Sequence, residues 1–187
     1  NKSIVFGDFN WPLSHGREYS EEELRRIIFE YGEEKFAFQI AKNIEKARAV
    51  KPIVTTFDLV EIIKKTLPAK VLEKKGHPAK QVFQAIRIEV NNELNVFESS
   101  IKKALDLIKV GGRVCVITFH SLEDRAVKEA YIEAEGKCTC PGDLPYCVCG
   151  YKSLGKIITR KPILPTNEEA NQNSRSRSAK LRIFEKS

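Results

Sequence analysis

Apolar side chains recur every three or four residues along most of this chain up to Lys109, then gather into one unbroken run after Gly112. A short apolar run, Ser3 to Phe9, and a turn-rich piece, NWPLSHGREY, precede the first helical pattern. There Leu24, Ile27, Ile28 and Tyr31 share one face, Ser20 with Glu23 forms a capping box, and Gly32 closes the helix. Phe36, Ile40 and Ile44 predict a second helix ending before Pro52. Thr55 with Asp58 caps a third, with Leu59, Ile62 and Ile63 inward and Pro68 as its stop. Three short amphipathic helices of this kind predict a compact helical lobe.

Between Pro78 and Lys109, Phe83, Ile86, Val90, Leu94, Phe97, Ile101, Leu105 and Ile108 fall on one helical stripe, as one long helix or as two that break at Asn91 and Asn92. The stripe reads as core. Gly111 and Gly112 then stand where a helix ends in left-handed backbone. Arg113 to Phe119 reads as a strand with little alternation, which predicts an interior strand of a parallel sheet with Cys115 buried in it. Ser121 with Asp124 is expected to cap the next helix, running to about Glu135. In an open α/β sheet ligands bind beyond the carboxyl ends of the strands, so the polar knot His120 to Arg125 is expected to face the crevice. Lys156 to Thr159 and Ala179 to Phe184 predict two edge strands, Thr166 and Glu169 cap a short helix between them, and NSRSRS predicts a basic loop.

Charge sharpens this picture at the carboxyl end. The formal net charge of the 187 residues is +7, and from Tyr151 onward nine Lys and Arg face three acids. A tail that carries six of seven net charges favours a polyanion such as nucleic acid, the alternative being a solvated surface. No apolar run is long enough to span a bilayer and no signal peptide opens the sequence, so the expectation is a cytoplasmic protein without a membrane partner. The chain begins at Asn1 and contains no Met, from which upstream residues are expected in the intact protein.

Four cysteines cluster in CTCPGDLPYCVCG: Cys138, Cys140, Cys147 and Cys149. Such clustering in a reducing compartment points to structural zinc before disulfides, although Cys-x-Cys pairs in so short a loop wrap a tetrahedral ion less readily than Cys-x-x-Cys pairs.

Five ordered blocks carry a resemblance. YGEEKFA (Tyr31 to Ala37), GHPAKQVFQAIRIEVNNEL (Gly76 to Leu94), GGRVCVITFHSLEDRAVK (Gly111 to Lys128), ITRKPI (Ile158 to Ile163) and SRSAKLRIFEK (Ser176 to Lys186) are similar to the RsmH, or MraW, family. Its members are bacterial methyltransferases acting on N4 of a cytidine in small-subunit (16S) ribosomal RNA. The resemblance implies an α/β fold, a class I (Rossmann-like) methyltransferase sheet with an inserted small helical domain. On that basis 1–17 is a remnant of the core, 18–75 the helical insertion, and 76–187 the rest of the core, with the Cys-rich loop 136–150 and the basic tail. It implies S-adenosyl-L-methionine as cofactor, with Phe9 against its adenine. The family's glycine-rich cofactor loop lies upstream of anything present here, so this part is expected in the longer protein. The alternative is a noncatalytic RNA-binding or ribosome-assembly protein.

Methyl transfer to an amine is an in-line displacement that needs alignment and a proton acceptor more than a covalent intermediate. His120, Ser121, Glu123 and Asp124 are the catalytic candidates, with Asp124 or Glu123 accepting the amine proton and His120 accepting directly or through water; helix capping is the alternative role. His77, Lys80, Arg87, Arg125, Arg160, Lys161, Arg175 and Arg177 are the candidate contacts to small-subunit RNA, free or in the assembled subunit. For Lys80 and Arg87 the competing role is a helix surface packed on the sheet, and for Arg125 an ion pair.

Overall fold

Capping chemistry and helical periodicity organise the first part of the molecule. The computed structural model describes residues 19–73, 76–136, 150 and 152–187. The apolar run ending in Phe9 and the four clustered cysteines lie outside the described residues. The chain divides into two units, Asn1–Glu93 and Leu94–Ser187.

The first unit is helical: α1 (Glu21–Glu30), α2 (Ala37–Val50), α3 (Thr56–Thr66), the short α4 (Ala69–Leu72) and α5 (Lys80–Asn91). Ser20 accepts a hydrogen bond from the Glu23 backbone N–H while the Glu23 carboxylate takes the Ser20 N–H, and Thr55 and Asp58 repeat the device at α3. α1 packs against α2 and α5, and α2 against α3. Their shared core holds Ile27, Ile28, Ile40, Leu59, Ile63 and Val82, each no more than 1% exposed. α5 counts with these helices because Val82, Ala85 and Ile86 belong to the same buried cluster. Of the two readings of the stretch from Phe83 to Ile108, the break at Asn91 and Asn92 is the one found: Asn92 adopts left-handed backbone (φ 50°), ending α5, and Val90 is exposed. A new helix, α6 (Glu93–Leu107), starts there on its own register.

In the second unit α6 is followed by β1 (Arg113–Thr118), α7 (Ser121–Glu135), β2 (Gly155–Ile157), α8 (Asn167–Gln172), a 3₁₀ turn at Ser174–Ser178 and β3 (Lys180–Lys186). The three strands form a small antiparallel sheet in the order β1-β3-β2. Val114 pairs with Phe184 and Thr118 with Lys180. One sheet face is covered: Val114 and Phe184 join Ile101 and Leu105 of α6 and Val127, Ala130, Tyr131 and Ala134 of α7 in a second core. The Tyr131 ring lies 5.4 Å from that of Phe184, and its hydroxyl donates to the Val114 carbonyl at 3.0 Å.

Three expectations are corrected here. β1 pairs antiparallel with β3, and its side chains alternate: Val114 and Thr118 are buried while Cys115 and Ile117 are exposed. β3, expected at an edge, is the middle strand, because it accepts β1 on one side and β2 on the other. SRSRS, expected as a loop, winds into the 3₁₀ turn, capped by the Asn173 side chain on the Arg175 N–H.

Gly155 shows how closely β2 approaches β3. A methyl group on its Cα would lie 2.7 Å from Cε1 of Phe184 and would also clash with the Glu185 carbonyl. Gly155→Ala is therefore expected to lower stability by about 1–3 kcal/mol through overpacking. Thermal or urea denaturation checks it, and an unchanged midpoint would show that the β2–β3 spacing is not as described.

Candidate functional site

Antiparallel pairing decides what meets at the carboxyl end of β1. Because Thr118 sits opposite Lys180, the end of β1, the start of α7 and the start of β3 occupy one edge of the second unit. The 3₁₀ turn leads into β3 from that edge. After β2 the chain runs back along β3 to a bridge between Ile163 and Leu181. The polar knot and the basic segments are thus brought together by register rather than by closeness in sequence.

His120, not Ser121, caps α7. Its extended backbone (φ −135°, ψ 167°) leaves the helix to start at Ser121, and its Nδ1 accepts the Glu123 backbone N–H at 3.3 Å. The Glu123 carboxylate reciprocates, accepting from the backbone N–H of Phe119 at 2.8 Å and of His120 at 3.3 Å. An imidazole nitrogen here does what an Asn or Asp oxygen does at most helix starts. With Nδ1 an acceptor, the neutral ring carries its proton on Nε2. Nε2 is buried and makes no hydrogen bond, although Oε1 of Glu123 lies 3.2 Å away. A buried donor without a partner costs about 1–3 kcal/mol, and the carboxylate oxygen beside Nε2 is Oε1 of Glu123.

Asp124 has a different occupation. Arg182 of β3 donates Nε to Oδ1 at 2.6 Å and Nη2 to Oδ2 at 3.1 Å, and Lys180 Nζ lies 3.4 Å from Oδ2. Both partners of the main pair are largely buried, at 14% and 8% side-chain exposure. The Arg182 hydrogen bonds and charge hold the Asp124 carboxyl below its ordinary range, against the opposing effect of burial. An acid held ionised by two cations is a weak base, and its oxygens are already engaged. Neither Arg182 nor Lys180 was singled out from sequence. The available signal was an arginine at an inward position of KLRIFEK, on the same face as Phe184, which needs an acid opposite.

The remaining candidates are distributed between the units. In the first, His77 is exposed with Nδ1 accepting the Ala79 N–H, Lys80 is exposed at the start of α5, and Arg87 pairs with Glu93 at 2.9 Å. In the second, Ser121 and Arg125 are exposed on α7, and Lys161 and Arg175 are exposed. Arg160 pairs with Glu135 at 2.9 Å, and Arg177 donates Nε to the Ala170 carbonyl at 3.3 Å. Phe9, Cys138, Cys140, Cys147 and Cys149 lie outside the described residues. Among the described residues no group of three or more His, Cys, Asp and Glu side chains could hold a metal ion, and no helix is long and apolar enough to cross a membrane.

A family model, the MraW methylase family, matches residues 16–187. The chain belongs to the MraW methylase family. It is 60% identical over 168 residues to the ribosomal RNA small subunit methyltransferase H of Lachnospira eligens, covering 90% of this chain and 53% of that protein. It is 56% identical over 168 residues to ribosomal RNA small subunit methyltransferase H 2 of Agathobacter rectalis, covering 90% and 54%. The same identity and coverage hold for ribosomal RNA small subunit methyltransferase H of Clostridioides difficile. The chain spans about half the length of these curated relatives.

The Asp124–Arg182 pair makes a stability prediction with a definite sign. A carboxyl whose folded pKa is depressed contributes stability above its unfolded value, about 3.9, and loses it as pH falls through the folded value. Asp124→Asn is expected to cost about 3 kcal/mol at pH 7, since it leaves a buried guanidinium without its counter-charge. The gap to the unsubstituted protein should narrow below about pH 4. Urea midpoints from pH 7 to pH 2.5 check it; equal stability at pH 7 would remove the pair from the account.

Proposed function

We propose that this chain is part of a methyltransferase that uses S-adenosyl-L-methionine to methylate N4 of a cytidine in small-subunit (16S) ribosomal RNA. The observation that supports this most is 60% identity, over 90% of the chain, to a relative named for small-subunit ribosomal RNA methylation. In this reading the second unit is part of a class I methyltransferase core. The helical first unit is a domain inserted into that core, and the protein works in the cytoplasm on ribosomal RNA or the assembled small subunit.

The cofactor, when bound, supplies the methyl group. Phe9, the residue matched to its adenine pocket, lies outside the described residues. What the described edge offers is substrate contacts. The cytosine amine is a poor nucleophile until its lone pair is drawn back from the ring, and its orientation decides whether the displacement can be in line. The Nε2–H of His120 is proposed to orient the base through an acceptor atom, its carbonyl oxygen or ring nitrogen. Oε1 of Glu123, which takes neither capping N–H, is placed beside it to accept an amine proton. Asp124, a catalytic candidate from sequence, is assigned here to holding Arg182 and Lys180 in position. A base buried in structured RNA must leave its stack to reach this edge, at a cost of a few kcal/mol drawn from contacts elsewhere. Arg175, Arg177, Lys161 and Arg125 are the exposed cations proposed to supply them.

Two measurements test this reading. The full-length protein, incubated with labelled S-adenosylmethionine and small ribosomal subunits, is expected to produce N4-methylcytidine after nuclease digestion. Tight subunit binding without label transfer would favour the noncatalytic alternative. His120→Asn keeps an N-cap oxygen while removing Nε2. It is expected to retain fold and RNA affinity while lowering the single-turnover rate about 100-fold; an unchanged rate would confine His120 to capping.

A further inference from the structure

Beside the Asp124–Arg182 pair, between α7 and the strands β2 and β3, lies a cavity of about 100 Å³ lined by Lys128, Tyr131, Ile132, Ile157, Arg160 and Arg182. Three of its six lining side chains are cations and none is an acid. The acids that partly balance this charge bind the same cations without lining the cavity: Asp124 holds Arg182 and Glu135 holds Arg160. Arg182 uses Nε and Nη2 on Asp124, and its Nη1 makes no bond among the described residues. Lys128 is exposed and has no ion-pair partner among the described residues. The Tyr131 hydroxyl is committed to the Val114 carbonyl, so the rest of the lining is apolar surface beside the three cations.

We infer that this cavity is a phosphodiester-binding subsite for the RNA substrate, contacted by Lys128, Arg160 and Arg182. The inference rests on the RNA methyltransferase reading above and names where part of the grip resides. Two guanidinium groups and an ammonium around a small space match a group with several anionic oxygens, which accepts forked donors from arginine and a point charge from lysine. Arg160 is the sequence-level phosphate candidate; Lys128 and Arg182 complete it. Lys128 follows the cap His120 by eight residues, about 12 Å along α7. That distance places the subsite on a neighbouring nucleotide of the strand whose base would meet Nε2.

The test uses the full-length protein and a fragment of small-subunit ribosomal RNA, with affinity measured by fluorescence anisotropy across a salt series. Lys128→Ala and Arg160→Ala are each expected to weaken binding about 5–10-fold at low salt and to flatten the log–log salt slope by about 0.7–0.9, the signature of one lost phosphate contact. Lys103→Ala, an exposed α6 lysine away from the cavity, is expected to change neither. Methylphosphonate substitution at the contacted phosphate should weaken binding by the unsubstituted protein and not by Lys128→Ala. If Lys128→Ala keeps the full affinity and slope of a protein that does bind the RNA, the subsite is overturned while the enzyme reading stands. If the unsubstituted protein neither binds nor methylates the RNA, that reading fails and takes the subsite with it.

Discussion

A guanidinium inside the second unit has to find a carboxylate. Arg182 is 7% exposed, the one buried cation among the described residues, and an unpaired charge at that depth would be strongly destabilising. Asp124 satisfies it in a bidentate geometry that also fixes direction. The pair joins the first turn of α7 to the middle strand of the sheet. The hydrophobic cluster around Tyr131 and Phe184 drives α7 onto the sheet, but apolar contact is not directional. The ion pair adds a directional contact between α7 and β3.

From that seating follows a division among the charged groups. Glu123 and His120 exchange backbone hydrogen bonds and leave Nε2 and Oε1 side by side at the edge. Asp124 is engaged by Arg182 and Lys180. Among the cations, Arg160 and Arg182 are tied to acids, Arg182 buried and Arg160 exposed, while Lys161 and Arg175 are exposed. A surface built this way can hold a polyanion through several weak, salt-sensitive contacts.

Much of the local structure was legible in the sequence because its causes are local. Ser20 with Glu23, Thr55 with Asp58 and Thr166 before α8 announce helix starts through side chains that reach their own backbone, and Asn92 announces a break by tolerating left-handed backbone. The strand order was not legible, since nothing in LRIF says that a strand lies between two others. The exposure of Cys115 depends on the same non-local pairing. His120 was not legible as a cap, because histidine rarely takes that position and Ser121 beside it usually would. The partner of Asp124 lies fifty-eight residues later, beyond the reach of a local pattern.

The central claim is that Asp124 and Arg182 act as one unit in seating α7. A double-mutant cycle of Asp124→Ala, Arg182→Ala and the double variant, followed by urea denaturation at pH 7, measures it most directly. Each single change is expected to be costly and the double change little worse than either, a coupling of about 2 kcal/mol or more. Additivity within about 0.5 kcal/mol would contradict the claim and leave the packing around Tyr131 and Phe184 as the sole determinant of the edge.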